Sequence, residues 1–202
     1  MTNRRSFHAK YLLAIGIVLL FGASTPLFAA YNGYLMVTGI EGESTAAGHQ
    51  NWIDIESYSH GVYTTPTIPG AGAQAAKHQE LVIVKAIDKA SPRLSQACCA
   101  GSVIPAVLLQ LHIPTFGQPM FLEIRLENVL VTAVRPSGAA ADSGPVYEEV
   151  KFSYSRIQWT YNRIDGAGTI VETIVTGWNV ETNSPWTPTG PANAKPAVLE
   201  LR

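Results

Sequence analysis

The sequence predicts a mainly β protein with one short α-helix. Segments rich in Val, Ile, Leu, Thr and aromatic residues recur along the chain, and Gly, Pro, Asn and Asp separate them, which is typical of strands joined by turns. Within several segments apolar and polar residues alternate, as expected for strands with one buried face. One segment instead has the start and stop signals of a helix. The predicted strands are 34–40, 52–60, 80–88, 103–113, 120–134, 146–161 and 169–180.

The first 29 residues are predicted to be a signal peptide. Basic residues within the first ten precede the apolar run 11–22, and small residues follow it up to Ala30. A helix needs about 20 apolar residues to span a bilayer, and a shorter run between basic and small residues is the secretory pattern. We therefore expect export to the periplasm or the cell exterior, without stable membrane insertion after cleavage. An uncleaved anchor and the twin-arginine route stay open.

Length and composition favour one domain after this leader. The chain has 202 residues, of which 47% are hydrophobic and 14% charged, and this balance excludes a disordered tail protein. We expect the domain over 30–183 and a proline-rich tail over 184–202. The chain has 14 Lys and Arg and 15 Asp and Glu, so its net charge is −1. Because no positive field is present to bind a phosphate backbone, nucleic acid is not an expected partner.

Two strands show which face enters the core and where the sheet bends. In 120–134, apolar and charged positions alternate, so one face should be core and the other should meet water or a partner; these positions are Leu122, Glu123, Ile124, Arg125, Leu126 and Glu127. In 146–161, Phe152 and Tyr154 lie two residues apart, as alternation requires, but the next residue of this apolar series is Ile157, one position later than alternation would place it. A β-bulge or bend near Ser155 and Arg156 should shift the register there.

The helix is predicted over 91–101. Ser91 can cap its free amides, Pro92 suits the first helical position, and Gly101 suits the left-handed residue that ends a helix. Leu94, Ala97 and Cys98 form the face that packs on the sheets, and Cys99 lies at its edge. Because adjacent cysteines rarely have disulfide geometry, we expect Cys98 to act as a small hydrophobe. For Cys99 a cross-link to another subunit stays open.

Two further segments are predicted from turn residues. Asp165-Gly166-Ala167-Gly168 should join the last two strands as a hairpin, because these residues favour tight turns. The segment 62–78 contains prolines, glycines and alanines and should be an irregular connection.

A search for catalytic and cofactor motifs predicts no enzyme, no cofactor and no metal. The stretch 42–46 around Ser44 is one residue away from the hydrolase elbow G-x-S-x-G, and His49 and Asp54 follow it, but the sequence after Ser44 has no helical period. The glycine-rich 70–75 imitates a dinucleotide motif without the strand and helix that such a site needs. The histidines after the leader are too widely spaced for the usual ligand pairs; they are His49, His60, His78 and His112.

Six segments, in order, resemble one family. They are YLMVTGIEGES at 34–44, GH at 48–49 with WIDI at 52–55, DKASPRL at 88–94 followed by AC at 97–98 and Gly101, VLVTAV at 129–134, EVKFSYSRIQWTY at 149–161 and GWNV at 177–180. This pattern, which covers about residues 33 to 182, is similar to the hemolysin-coregulated protein (Hcp) family, the tube protein of type VI secretion.

The resemblance implies a two-sheet antiparallel β-barrel with one short flanking α-helix. It also implies a structural, non-enzymatic protein that forms hexameric rings, which stack into tubes and have other secretion components or effectors as partners. By family position, Glu43, Ser44 and His49 would contact an adjacent subunit or ring. The signal peptide and the proline-rich tail depart from the family pattern. An exported ligand-binding β-barrel module, using Trp52, Tyr58 or Tyr63, is the alternative.

Overall fold

The computed structural model describes residues 31–65, 75–115, 117–138 and 144–187. The predicted signal peptide, nearly all of the glycine-rich motif 70–75 and most of the tail 184–202 lie outside the described residues. The described part is mainly β with one helix, as predicted. Its elements are β1 Asn32–Val37, β2 Ile53–Ile55, β3 Ser57–Ser59, β4 Val62–Tyr63, β5 Lys77–His78, β6 Leu81–Ala86, α1 Ser91–Ala100, β7 Ile104–His112, β8 Met120–Ser137, β9 Tyr147–Ile164, β10 Ile170–Asn179 and β11 Ser184–Pro185.

The strands close into an antiparallel barrel. Pairing runs from β2 to β1, β7, β8 and β9, and then from β9 to β6 and β3. Strands β2 and β3 are separated only by Glu56, whose amide donates to the Val84 carbonyl. The first and last strands of the pairing order therefore meet there, and the barrel closes. Strand β10 pairs with the second half of β9 and leaves the barrel, and β4 pairs with β5 as a separate small sheet. The ends of the segment predicted to be irregular are therefore strands.

Strands β8 and β9 are long and bend together, so the two sheets expected for the barrel are continuous through these two strands. In both strands the buried apolar positions change phase, after Leu126 in β8 and after Tyr154 in β9. The pairing register nevertheless continues through the bend, because Asn128 in β8 takes a left-handed conformation, with φ 51°, opposite the predicted bend in β9. Asparagine tolerates this conformation better than most residues. The register shift itself lies between Val131 and Ala133, not at Ser155 and Arg156.

Aliphatic and aromatic side chains from the barrel strands and from α1 fill one core. The largest of those that are fully buried are Leu35, Ile53, Leu81, Ile83, Leu94, Leu109, Leu111, Leu126, Phe152 and Ile157. Burial of each such side chain stabilises the fold by about 1.5–3 kcal/mol relative to exposure. In β8, Ile124 and Leu126 face this core, as their alternation predicted.

The helix lies where it was predicted, but it begins differently. Gly101 ends it with φ 59°, and Leu94 and Ala97 are buried while Cys98 packs on the core. Both cysteines are free thiols and Cys99 is exposed. The prediction that Ser91 caps the helix is wrong, because Ala90 occupies the cap position and has no side-chain cap bond.

The Ser91 hydroxyl is used instead in a buried polar network around Lys85. Lys85 Nζ lies 2.7 Å from Asp88 Oδ1, 2.8 Å from Glu148 Oε1 and 3.0 Å from Ser91 Oγ, and it also donates to the Ala86 carbonyl. Ser91 Oγ donates to Glu148 Oε1 at 2.7 Å. The network therefore joins α1 to strands β6 and β9.

The hairpin turn at 165–168 is confirmed. The Asp165 carboxylate accepts hydrogen bonds from the amides of Ala167 and Thr169, both at 2.9 Å, and Gly168 has φ 85°. Within the described residues, no helix is long and apolar enough to cross a membrane.

Candidate functional site

The loop 41–52, which contains the predicted contact residues, is tightly hydrogen-bonded to itself. The amides of Gly42, Ser44 and Asn51 donate to carbonyls across the loop at 2.8–2.9 Å. A Cβ atom at Gly42 would collide with the Trp52 carbonyl and the Ile53 backbone, so only glycine fits there. The Ser44 hydroxyl accepts from the Ala46 amide, as in the local turns that serine favours. The loop is consequently a defined surface.

The three predicted contact residues take different positions in this loop. Glu43 is exposed, and its carboxylate accepts the Lys89 amide at 3.0 Å. Ser44 and His49 are only 4% and 8% exposed. Their side chains therefore position the loop from within, and the surface available to a neighbour consists of Glu43 and other exposed loop residues. Contact between this loop and another subunit stays a prediction.

His49 fastens the loop to the outer face of the barrel. Its ring stacks on Tyr34 with centroids 4.1 Å apart and lies 4.7 Å from the ring of His112. His49 Nε2 lies 2.8 Å from Gln110 Oε1, and Gln110 Nε2 donates to Glu123 Oε2 at 2.6 Å. Because the Gln110 amide donates to the carboxylate, its oxygen accepts from His49, which therefore holds its proton on Nε2.

Glu123 is not on a wet face, and this corrects the sequence prediction. The residue is 1% exposed, and its Oε1 has no hydrogen-bond partner. Burial raises the pKa of this carboxyl, while Gln110 and Arg125 act in the opposite direction. The prediction was wrong because strand alternation identifies the face opposite the core but not what covers it. Arg125 and Glu127, on the same face, are half-buried and form an ion pair at 3.1 Å.

A cavity lies beside the His49 ring. Its volume is 310 Å³, and it is lined by Tyr34, Ala46, Ala47, His49, His112, Gly117 and Gln118. The His112 Nδ1 atom donates to the Gln118 carbonyl at 2.7 Å, which fixes the ring toward the cavity wall formed by 117–118. The cavity thus lies between the loop residues Ala46, Ala47 and His49 on one side and His112, Gly117 and Gln118 on the other.

We expect the substitution His49→Ala to loosen the loop while the barrel stays folded. It removes the stack on Tyr34 and leaves Gln110 Oε1 without its closest donor, which should lower the free energy of unfolding by about 1–3 kcal/mol. Urea unfolding and hydrogen exchange of the Ser44 and Asn51 amides measure both effects. The exposed Gln50→Ala is the control. Unchanged amide protection in His49→Ala would contradict the anchoring role.

A second pair of histidines meets at the Tyr154 hydroxyl on β9. His60 Nε2 lies 2.6 Å from the Tyr154 hydroxyl, and His78 Nδ1 lies 3.3 Å from the same oxygen. Tyr154 also donates to the Gln79 carbonyl at 3.2 Å. Sequence spacing treated these histidines as separate, but the pairing of β4 with β5 and their position over β9 bring them together. In the described residues, no group of three or more His, Cys, Asp or Glu side chains is arranged to hold a metal.

Three histidines, of which His112 is buried and His60 and His78 are half-buried, lead us to expect that acid weakens the fold. Burial lowers the pKa values of His60, His78 and His112 below the ordinary 6.5, and His78 lowers that of His60 further. The unfolded chain therefore binds these protons at higher pH than the folded chain does. The stability from the neutral rings is complete above 6.5 and is lost as pH falls toward the lowered values.

Urea unfolding at about pH 7.5 and about pH 5.5 measures this loss. We expect lower stability at the acid pH, and a smaller difference in His60→Gln/His78→Gln, which has only His112 left of the three. Glu123 acts in the opposite direction, because a raised carboxyl pKa favours the fold at low pH. Equal pH dependence in the wild type and the double variant would contradict the assignment.

The residues of the hydrolase-like motif do not form a triad. His49 Nε2 contacts Gln110, the Ser44 hydroxyl accepts from a backbone amide within its own turn, and Asp54 pairs with Tyr34 on β2 and β1. The aromatic residues considered for ligand binding also lie apart. Tyr58 packs on the core beside Tyr31, Trp52 lies against His49, and Tyr63 is exposed on β4.

Strand β10 presents apolar side chains to solvent on both faces. Ile170, Val171, Ile174 and Val175 are about half exposed, as is Tyr161 opposite Ile174 on β9. We call these five residues the edge patch. Among the described residues, 170–176 pair only with β9, so the outer backbone edge of this stretch is unpaired. Exposed apolar edge strands are natural sites for association with another chain.

A second, different apolar patch lies at the other end of β9. Ile87, Val146 and Tyr147 are exposed and adjacent, since the Ile87 amide donates to the Val146 carbonyl and Ala86 pairs with Tyr147. We call these three residues the end patch. About 45 Å of bent strand separates Tyr147 from Tyr161 at the usual rise per residue. The chain therefore has two different exposed apolar patches, which lie at opposite ends of β9 along the chain.

Comparison with protein families gives a match over most of the barrel. Residues 34–161 match the family described as "Type VI secretion system effector, Hcp". Two curated relatives are from Pseudomonas aeruginosa. "Protein hcp1" is 28% identical over 162 residues, covering 76% of this chain and 98% of its own length. "Major exported protein" is 26% identical over 129 residues, covering 59% and 74%.

Solved structures agree with these matches. The chain is similar to a structure described as that of a type six secretion system protein, with a TM-score of 0.74, 25% identity and coverage of 78% of this chain and 100% of the other. It is also similar to Hcp1 from Salmonella typhimurium, with a TM-score of 0.66, 26% identity and coverage of 78% and 99%.

Proposed function

Because the chain belongs to the Hcp family, we propose that it is an exported structural protein related to the type VI secretion tube, whose copies join into hexameric rings without enzymatic activity. Export is supported by the basic and apolar leader in the first 29 residues and by the name of the relative "Major exported protein". Its expected partners are other copies of itself and, in the tube, secretion components or effectors.

The observation that supports ring formation is the pair of unlike apolar patches on one chain. A patch that binds its own copy gives a two-fold dimer, whereas two different patches that bind each other give a head-to-tail chain. Such a chain of subunits closes into a ring when the rotation that relates neighbouring copies is a whole fraction of 360°. The edge patch of one copy would then cover the end patch of the next, and both lose their exposed apolar area.

Stacking of rings would use another surface. The loop 41–52 is rigidly held by His49 and presents Glu43 and other polar residues to solvent. Glu43, Ser44 and His49 remain the proposed ring-contact residues, with Glu43 touching the neighbour and the other two fixing its position.

Mixing two variants tests the head-to-tail arrangement. Val175→Lys disables the edge patch, and Tyr147→Lys disables the end patch, so each variant alone should be monomeric. Together they retain one intact patch each, and a one-to-one heterodimer should form on mixing. Light scattering measures the masses. If the edge patch instead bound its own copy, Tyr147→Lys alone would still assemble and the mixture would gain nothing, which would refute the arrangement.

A further inference from the structure

The strongest unassigned feature is the cavity between the loop 41–52 and the end of β7. Its volume of 310 Å³ lies at the lower end of the range of about 300–1,000 Å³ that is typical of small-molecule sites. Its three aromatic walls, Tyr34, His49 and His112, are only 7%, 8% and 9% exposed. A ligand that contacts these walls must therefore be small enough to enter, which favours a free small molecule over the surface of a folded partner.

The aromatic walls form a corner that suits another flat ring. The rings of Tyr34 and His49 are nearly parallel, with an angle of 14° between their planes, and His112 lies across them at 70° and 81°. Aromatic rings prefer such stacked and edge-to-face arrangements, with centroids about 4.5–7 Å apart. The alanines at 46 and 47 add small apolar side chains to the lining.

Both imidazoles in this corner have an unused hydrogen-bond acceptor. His49 holds its proton on Nε2 for Gln110, so its Nδ1 is an acceptor, and Nδ1 has no partner within the described part of the chain. His112 donates from Nδ1 to the Gln118 carbonyl, and burial lowers the pKa of this ring, so at pH 7 its Nε2 has no proton. The nearest partner of Nε2 is Gln110 Oε1, 3.5 Å away, which is itself an acceptor.

We propose that the cavity binds a small neutral aromatic molecule that carries a hydrogen-bond donor, such as a phenol or an indole. The ring of the ligand would pack in the aromatic corner, and its O–H or N–H group would donate to His49 Nδ1 or His112 Nε2. A neutral ligand fits because none of the described residues that line the cavity is Asp, Glu, Lys or Arg. A donor fits because an acceptor without a partner is costly when it is shielded from water.

The location of the cavity means that a ligand would stabilise the loop 41–52. Ala46, Ala47 and His49 belong to this loop, whereas His112 ends β7 and Gln118 follows it. A bound molecule would contact both sides and hold them together. The amides of Ser44 and Asn51, which bond across the loop, should then exchange more slowly with solvent.

A nuclear magnetic resonance titration of the full chain, with ¹⁵N-labelled histidine, tests the proposal at pH 7. The resonance of an unprotonated imidazole nitrogen shifts when that nitrogen accepts a hydrogen bond. We expect phenol to shift His49 Nδ1 or His112 Nε2 saturably, with one site per chain and a Kd on the order of 0.1–1 mM for a molecule of this size. Anisole, which is phenol with its O–H methylated, keeps the ring but has no donor. It should bind roughly 3–10-fold more weakly, because one hydrogen bond is lost.

Two matched variants locate the ligand. Ala46→Leu adds a larger side chain at a half-buried position in the lining and should abolish the phenol-induced shifts. Thr45→Leu places the same side chain on the neighbouring exposed residue, outside the lining, and should bind phenol like the wild type.

Three results would overturn the proposal: no saturable shift of either nitrogen up to about 10 mM phenol, equal affinity for phenol and anisole, or loss of binding in Thr45→Leu but not in Ala46→Leu. The first two are measured on the wild type, so the test does not depend on the folding of any variant. Ring assembly is measured separately by mass and is not required for this site.

Discussion

Lys85→Ala should unfold the protein more readily than any surface substitution, lowering the free energy of unfolding by about 3–5 kcal/mol. The Lys85 side chain is 0% exposed, and its ammonium is the shared partner of Asp88, Ser91 and Glu148. Removing it leaves the Glu148 carboxylate buried at 2% exposure without its cation. An uncompensated buried charge is expensive because the protein interior solvates it poorly. Urea unfolding monitored by circular dichroism measures the loss.

Lys89→Ala is the matched control for this prediction. Lys89 lies four residues along the chain, and its ion pair with Glu41 is 3.3 Å long but solvent-exposed. Pairs of this kind contribute about 0–1 kcal/mol. A loss for Lys85→Ala no greater than that for Lys89→Ala would show that the network does not hold α1 to the barrel.

Val175→Lys should convert the assembled protein into monomers that remain folded. Val175 is half exposed in the single chain, so the charge is tolerated there, but the proposed ring would cover it. Burying a charged group without a partner costs several kcal/mol even after local relaxation. A hexameric ring repeats this penalty at each of its interfaces, so the effect on assembly should far exceed the effect on folding.

Gln96→Lys controls for the added charge. Gln96 is exposed on α1, outside both patches, and should leave assembly unchanged. Sedimentation gives the mass of each variant and thermal unfolding confirms its fold. Assembly of Val175→Lys at wild-type concentrations would remove the edge patch from the proposed interface.

Local patterns predicted most of the fold. Alternation located the long strands, Asp165 and the glycines after it located the hairpin turn, and Gly101 located the end of the helix. The same alternation showed the phase change after Tyr154 but could not show that β8 makes the matching change at Asn128. That compensation depends on which strands are neighbours, which alternation alone does not specify.

The candidate sites were less predictable because long-range contacts build them. Gln110 joins His49 and Glu123 across 61 and 13 residues of sequence, and Tyr154 joins His60 and His78 across 94 and 76. No local spacing rule reaches that far. The sequence showed that Glu123 is an acidic residue on a strand beside one that contains a histidine. That pattern does not indicate whether the carboxylate is buried. Ser91 was likewise predicted to cap the helix from the local start pattern. Its hydroxyl instead bonds Lys85 and Glu148, which are distant from it in a way that the local pattern does not show.

The mass of the purified wild-type protein in solution tests the central claim most directly. Analytical ultracentrifugation across micromolar concentrations should find a species with six times the mass of one chain, because the edge patch of each copy binds the end patch of the next. A species with the mass of one chain at every concentration, with the barrel intact by circular dichroism, would contradict it.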